Sequence, residues 1–417
     1  MNDYRNIKIP KGWEIKSFDL LCNSIRSGLS RRLSLVDIGL PVVNSGNLKD
    51  NGLDLTNLKY WHFDDPQGAN TKDYFLENDD ILLNFINSIS QIGKSAIYSD
   101  FGRPVIFTTN IFRIRVKKEI LSKYLFAYMQ SQEFKKDLKL ITKPAVNQAS
   151  FTKEDLAKIL IPLPPINEQE KIIKLLTTFN SIINKSKLKL EKLKFLKIAL
   201  REELLSKGLE KEELKNSNLG KIPKSWEIKK LKEIGTCIRG LTYSPDDISD
   251  NGLLVLRSSN ISDGNIVLDD LVYVSKELKS EFISKEGDIL ICVRNGSRTL
   301  LGKSAVISSN LPKSTHGAFM TIFRTNENHF VRYLFQSNLF FKQVSRDIGA
   351  TINSINNQNL LDYKFAFPSS EEQKKIVLIL SSIDEKIIKE KEYLIKIENL
   401  ERSLLEALLT GRKRVGI

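Results

Sequence analysis

The chain says almost everything twice, and that constrains its fold more than any composition does. IPKGWEI (Ile9–Ile15) returns as IPKSWEI (Ile222–Ile228), and NSGNLKDNGLDL (Asn44–Leu55) keeps the same offset against RSSNISDGNIVL (Arg257–Leu268). Further on, NDDILLNF (Asn78–Phe85) answers EGDILICV (Glu286–Val293), and IGKSAIYS (Ile92–Ser99) answers LGKSAVIS (Leu301–Ser308). IFRI (Ile111–Ile114) pairs with IFRT (Ile322–Thr325), KYLFAYMQS (Lys123–Ser131) with RYLFQS (Arg332–Ser337), and IPLPPINEQEKII (Ile161–Ile173) with FAFPSSEEQKKIV (Phe365–Val377). Small insertions fall between the blocks, where surface loops tolerate them. A duplication with a period of roughly 205 residues accounts for all of this, so whatever one half folds into, the other does too.

Each half opens with short β-type runs such as DILLNF, SAIYS and NIFRIRV, broken by Gly, Asn, Asp and Ser around one helical stretch, SKYLFAYMQSQEFKKDLK. A proline punctuation follows, Pro162, Pro164 and Pro165 in the first half and Pro368 in the second, and proline cannot sit inside a helix. A chain of 417 residues, 41% of them hydrophobic, fills two such cores and more. No run of eighteen apolar residues occurs, and the polar start MNDYRNIKIPKG does not read as a secretory signal, so a cytoplasmic location is expected. Three scattered cysteines and three histidines lack the ligand spacing of a zinc site, leaving buried free thiols as the expectation.

After the prolines the period changes. Ile172, Leu176, Phe179, Ile183, Ser186, Leu190, Leu193, Lys197, Leu200 and Leu204 fall at alternating steps of four and three, and so do Ile376, Leu380, Ile383, Ile387, Glu390, Leu394, Ile397, Glu401, Leu404 and Leu408. The polar exceptions stand at the same heptad places in both. This is a sustained coiled-coil seam. A helix of roughly 36 residues rises about 54 Å, longer than a domain of this size, so each seam needs a partner, and the other helix is the natural one. From Glu168 to Lys207 ten Lys and Arg face five acids, whereas Glu371 to Leu409 carries seven against nine, a bias that favours pairing with each other over self-pairing. Chain order of domain, helix, domain, helix makes the pair antiparallel with a pseudo-twofold axis. The expected fold is α+β: two tandem mixed α/β domains (1–165 and 211–368) separated by two long helices, 166–210 and 369–417, the latter ending in a basic tail.

The formal charge of +14 favours a polyanionic partner, because Lys and Arg that neutralise phosphates release condensed counterions. Base edges in the major groove are read by Arg, Asn and Gln, and backbone phosphates are held by Lys, Ser and Thr. In the first half, loops carry Arg26, Arg31, Arg32, Asn44, Ser45, Asn47, Asn84, Asn87, Ser88 and Gln91; in the second, Arg239, Tyr243, Arg257, Ser258, Asn260, Arg294, Asn295, Ser297 and Arg298. These loops sit at matching places in the duplicated frame with different residues. KPAVNQAS (with Asn147 and Gln148) and ATINSINNQN (with Asn353, Asn356, Asn357 and Gln358) match as well, and there a helix cap competes with a DNA contact.

The IPxGWE-type starts, the GDIL cores followed by GKSA, and the PLPPxxEQ-type lead into each helix together resemble the DNA-specificity subunit of type I restriction-modification systems, over essentially the whole chain. Asp79 stands where the second half has Gly287 at a usual glycine, and one proline replaces three before the second helix. The resemblance implies a non-catalytic subunit whose two target recognition domains read a bipartite, asymmetric double-stranded DNA site. Its helices would set the spacer and present themselves to two adenine-methyltransferase subunits and the restriction subunit. S-adenosylmethionine, ATP and magnesium would then belong to those partners and no cofactor or metal to this chain.

The residues agree in lacking GxxxxGK[ST], an NPPY-type tetrapeptide or a nucleophile beside a histidine. A nuclease acting alone would need an acid cluster, and Asp79 with Asp80 and Asp246 with Asp247 read better as turns. A coiled-coil scaffold without DNA binding is opposed by the charge and by the divergent polar loops. Trp13 and Trp226 are expected to pack where a domain meets a helix.

Overall fold

The computed structural model describes residues 9–49, 52–146, 148–210, 212–348 and 353–415. The chain divides into two compact units, residues 1–187 with 392–417, and residues 188–391. Cutting at the prolines would have kept each helix whole. The contacts instead cut inside both helices, because each stretch packs its seam on the nearby stretch of the other helix and on the adjoining domain.

In the first unit a four-stranded antiparallel sheet runs in the order Cys22–Ser27, Ile111–Val116, Ile81–Asn84, Ser95–Ile97. Its central strand Ile81–Asn84 is buried on both faces, as an unbroken apolar run requires. A three-stranded sheet of Ile106–Phe107, Leu40–Val43 and Lys59–Trp61 lies alongside, with one parallel pairing. The helices Ser122–Gln130 and Gln132–Ile141 cover the core, the second capped by the Ser131 hydroxyl. Strand Glu14–Ser17 pairs antiparallel with Leu160–Leu163, which ties the opening heptapeptide to the proline segment before the helix.

The second unit repeats the plan. Gly235–Arg239, Met320–Thr325, Ile289–Cys292 and Ser304–Val306 take the same order, extended by Asn265–Ile266 and Ile261–Ser262. Ser314–His316 again runs parallel to Leu253–Leu256, and Glu227–Lys230 again pairs with Lys364–Phe367. Glycine is required at two matched places: a Cβ on Gly28 would lie 2.1 Å from the Phe107 carbonyl oxygen, and one on Gly240 would lie 2.1 Å from that of Gly317.

The two long helices span Ile166–Lys207 and Ser370–Leu409, 42 and 40 residues, longer than the heptads alone indicate. All sixteen apolar seam residues are buried or half-buried. Within the first unit Ile172 and Leu176 share a core with Leu404, Leu408 and Leu409, while Lys187 meets Glu398 at 2.8 Å. Within the second, Leu200 and Leu204 share a core with Ile376 and Leu380, and Lys189 pairs with Glu390 and Lys197 with Asp384. Partners descend along one helix as they ascend along the other, so the pairing is antiparallel. Among the described residues no helix is long and apolar enough to cross a membrane.

Candidate nucleic-acid interface

Strand pairing corrects one element of the sequence match. Ile81 lies opposite Ile114, and Ile289 opposite Phe323, so Arg324 corresponds to Arg115 and not to Arg113. The IFRI and IFRT strings coincide only by a two-residue slip. In the true register both halves build the same bidentate pair. Arg115 Nε and Nη2 donate to Asp80 at 2.7 and 3.1 Å, and Arg324 Nε and Nη2 donate to Asp288 at 2.8 and 2.6 Å. Each acid also accepts from a backbone N–H three residues earlier, Glu77 and Lys285, which closes the turn before the central strand. Asp79 adopts φ 67° where Gly287 has 83°, so the glycine departure is absorbed by an aspartate in the left-handed region. Asp247 likewise serves a turn, accepting from Ser244 and pairing with Lys276, which hold its carboxyl below the usual range, at about 2. Among the described residues no three His, Cys, Asp or Glu side chains gather as metal ligands. The thiols of Cys22 and Cys237 are pushed up to about 12 by burial.

Several residues read from the sequence as base contacts are spent inside the fold. Asn47 is buried: its amide donates to the carbonyls of Asp54 and Asn57, and its oxygen accepts from Asn44 N–H. Asn260 repeats this with Val267, Asp269 and Arg257. Asn84 is fully buried and donates to the Gln91 carbonyl. These three leave the set of candidate readers, because a polar loop with a short-range asparagine also needs an internal bracket. Arg31 grips Asp65 at 2.6 Å, which draws that carboxyl far below its ordinary range, while Trp61 Nε1 and the Ala69 N–H hold the same acid. Arg257 donates to the carbonyl and carboxylate of Asp270. Asn44 accepts from Gly46 N–H, and Ser45 is half-buried beside it. Asn147 lies outside the described residues, and Asn356 is a cap, accepting from Gln358 N–H.

The remaining candidates lie in the loops and edge strands of the two domains. In the second domain the strand Ile289–Cys292 delivers the loop Arg294–Arg298. The Arg294 guanidinium lies 5.5 Å from the ring centre of Phe319, itself 59% exposed. Arg298 Nε donates to Asn353 Oδ1 at 3.1 Å, Asn353 Nδ2 to the Gly296 carbonyl at 3.0 Å, and Asn295 Nδ2 to Ser258 Oγ at 3.2 Å. Ser297 Oγ shares a hydrogen bond with Thr299. Arg239 is exposed at the end of the edge strand, with Tyr243 half-buried beyond it. In the first domain the strand Ile81–Asn84 leads into Asn87, which accepts from Ser88 N–H, and the exposed Gln91, while Arg26 lies over the Tyr74 ring and pairs with Asp73 at 3.4 Å, and Arg32 is exposed.

Backbone equivalence shows how differently one frame is furnished. Phe85 N–H donates to the Asn110 carbonyl as Val293 N–H does to that of Phe319, and Phe151 N–H donates to Phe85 as Ile355 N–H does to Val293. Ile86 therefore corresponds to Arg294, Asn110 to Phe319, and Ala149 to Asn353. Sequence reasoning missed Asn110 and Phe319, since an aromatic one residue before an apolar strand reads as core; a match made from the strand register would have exposed the swap.

A family model described as type I restriction modification DNA specificity domain matches residues 10–194 and again residues 223–399. The chain is 31% identical over 426 aligned positions to the putative type I restriction enzyme MjaX specificity subunit of Methanocaldococcus jannaschii, covering 98% of this chain and 95% of that one. It is 28% identical to the MjaVIII specificity subunit of the same organism, over 82% of this chain and 81% of the other. Among solved structures, a chain from work on complex assembly and conformational transition of the type I R-M system superposes with a TM-score of 0.62 at 16% identity, over 97% and 100% of the two chains. The type I restriction-modification S subunit from M. genitalium does so with 0.55 at 14%, over 98% of each. At such identities the superpositions speak for the fold. The sequence matches, one to each half and together spanning most of the chain, place this protein in the type I restriction-modification DNA specificity family.

Proposed function

We propose that each of the two domains reads one half of a bipartite, asymmetric DNA sequence. The two long helices set the gap between the half-sites and recruit two adenine-methyltransferase subunits and the restriction subunit. The chain's role in the family is sequence recognition without catalysis. S-adenosylmethionine, ATP and magnesium belong in this reading to the recruited subunits.

One observation carries the bipartite reading: a shared backbone presents Arg294 and Phe319 in one domain and Ile86 and Asn110 in the other. Arginine suits guanine edges and asparagine adenine edges, so identical frames with different tips read different sequences. The readers are Arg26, Arg32, Asn87, Ser88, Gln91 and Asn110 in the first domain, and Arg239, Ser258, Arg294, Asn295, Arg298 and Phe319 in the second. Mapping methylated adenines in cells carrying this chain and its methyltransferase tests the reading. Two unlike half-sites with a fixed gap are expected; a continuous or symmetric motif sinks it.

A further inference from the structure

Each unit holds a cleft between its domain and its pair of helix stretches, about 860 Å³ in the first and 560 Å³ in the second. The clefts correspond residue by residue: Gln130 and Gln336 line one wall, and on the other Asn180 stands for Asp384 and Glu401 for Lys197. Some attachments of domain to helix are common to both. Glu406 accepts from Gln132 N–H as Glu202 accepts from Asn338 N–H.

One attachment of the second unit has no counterpart among the described residues of the first. Asp384, on the second long helix, takes Lys197 of the first at 2.5 Å and accepts from the Tyr333 hydroxyl of the domain at 2.9 Å, with Arg332 at 3.9 Å. Lys197 Nζ lies 6.0 Å from the Tyr333 ring centre. The lysine's side chain is 14% exposed and the aspartate's 20%, so water screens this knot little. Three elements thus meet on one carboxylate. The serine caps Ser131 and Ser337 set the register of the preceding helices, so Ala127, not Tyr124, corresponds to Tyr333; with Asn180 and Glu401 the first unit supplies neither the cation nor the hydroxyl there, and burial raises the Glu401 carboxyl's affinity for its proton.

We propose that Asp384 is a positioning residue, which with Lys197 and the Tyr333 hydroxyl fixes the angle at which the second domain leaves the helix pair and thereby the tolerance for gap length at the half-site that domain reads. The proposal rests on the bipartite reading above. A directional, three-way contact resists rotation in a way that apolar seam packing alone does not. The first domain, lacking it, accommodates more freely.

The test uses the full chain assembled with its methyltransferase subunits on a plasmid library whose sites differ by one base pair in the gap or by one base in either half-site. Asp384→Ala and Tyr333→Phe are expected to raise methylation of wrong-gap sites relative to the right gap by about fivefold, a coupling of about 1 kcal/mol, while half-site mismatches stay rejected. Asn180→Asp with Glu401→Lys, which installs the ion pair in the first unit, is expected to narrow gap tolerance. Unchanged gap ratios in assembled Tyr333→Phe and Asp384→Ala complexes overturn the proposal, as does an equal loss on every site, which would mark a merely structural role. A wild-type chain that methylates without any fixed gap instead overturns the bipartite reading.

Discussion

Trp13 Nε1 donates to Glu168 Oε2 at 3.0 Å, and Trp226 Nε1 donates to Glu372 Oε2 at the same distance. The repeated tryptophan of each half is thus bonded to the first turn of the long helix that leaves the same half. Each glutamate also takes up the segment beyond the other helix's end: Arg414 donates to Glu168 at 2.7 and 3.0 Å, and Leu209 N–H donates to Glu372 at 2.9 Å. The heptapeptide occurs twice because this joint is built twice.

Loss of the indole donor leaves a nearly buried carboxylate short of one partner. Trp13→Phe is therefore expected to cost about 1–3 kcal/mol, seen as a lower urea midpoint. Arg414 and Trp13 hold the Glu168 carboxyl below its ordinary 4.5, so the stabilisation is full above that pH and fades as pH falls through the depressed value. Glu168→Gln should flatten that acid limb.

Asp288 is 2% exposed and Arg324 grips it bidentately. Asp288→Asn should cost about 3 kcal/mol, because the arginine then keeps a charge without its counter-ion. Arg324→Lys should lose much of the same, since an ammonium cannot span both carboxylate oxygens. Chemical denaturation checks both.

His316 ends the parallel strand that in the first unit ends at Phe107, the pairings being Leu256 with His316 and Val43 with Phe107. It is fully buried, its Nε2 lies 2.9 Å from the Ile238 carbonyl oxygen, and burial pulls its pKa down to about 4. The unfolded histidine, near 6.5, binds a proton first, so stability should fall as pH drops from about 6.5 towards 4, by at most about 1.4 kcal/mol per unit. His316→Phe should remove that slope; a pH series of melting curves decides.

Arg294→Ala and Arg298→Ala are expected to weaken binding at one half-site by about 1–3 kcal/mol each if they touch base edges. Asn260→Ala should instead lower stability, as its side chain is internal. Competition binding with half-site variants separates the two, and equal loss on random DNA would reassign the arginines to phosphates.

Leu190→Asp puts a charge into the helix seam and should break helix pairing or methyltransferase assembly while leaving half-site choice intact. An unchanged elution volume of the complex on gel filtration would refute this.

Much of the molecule is legible in the sequence itself. Duplication, the proline joints and heptads with polar breaks at the same places are local, periodic signals, and a one-dimensional string carries those in full. Seam burial follows from them, as does the antiparallel pairing, because two equivalent halves in series leave the second helix only one direction. Tertiary structure decided what depends on partners distant in sequence. Ladder register moved Arg324 from Arg113 to Arg115 and so revealed the shared pairs with Asp80 and Asp288. It turned Asn47, Asn84 and Asn260 inward, brought Phe319 beside Arg294, and hung Tyr333 and Lys197 on Asp384. An asparagine looks the same in a string whether it brackets a loop or faces solvent; only the packing around it chooses, because a buried amide must find its hydrogen bonds within the protein.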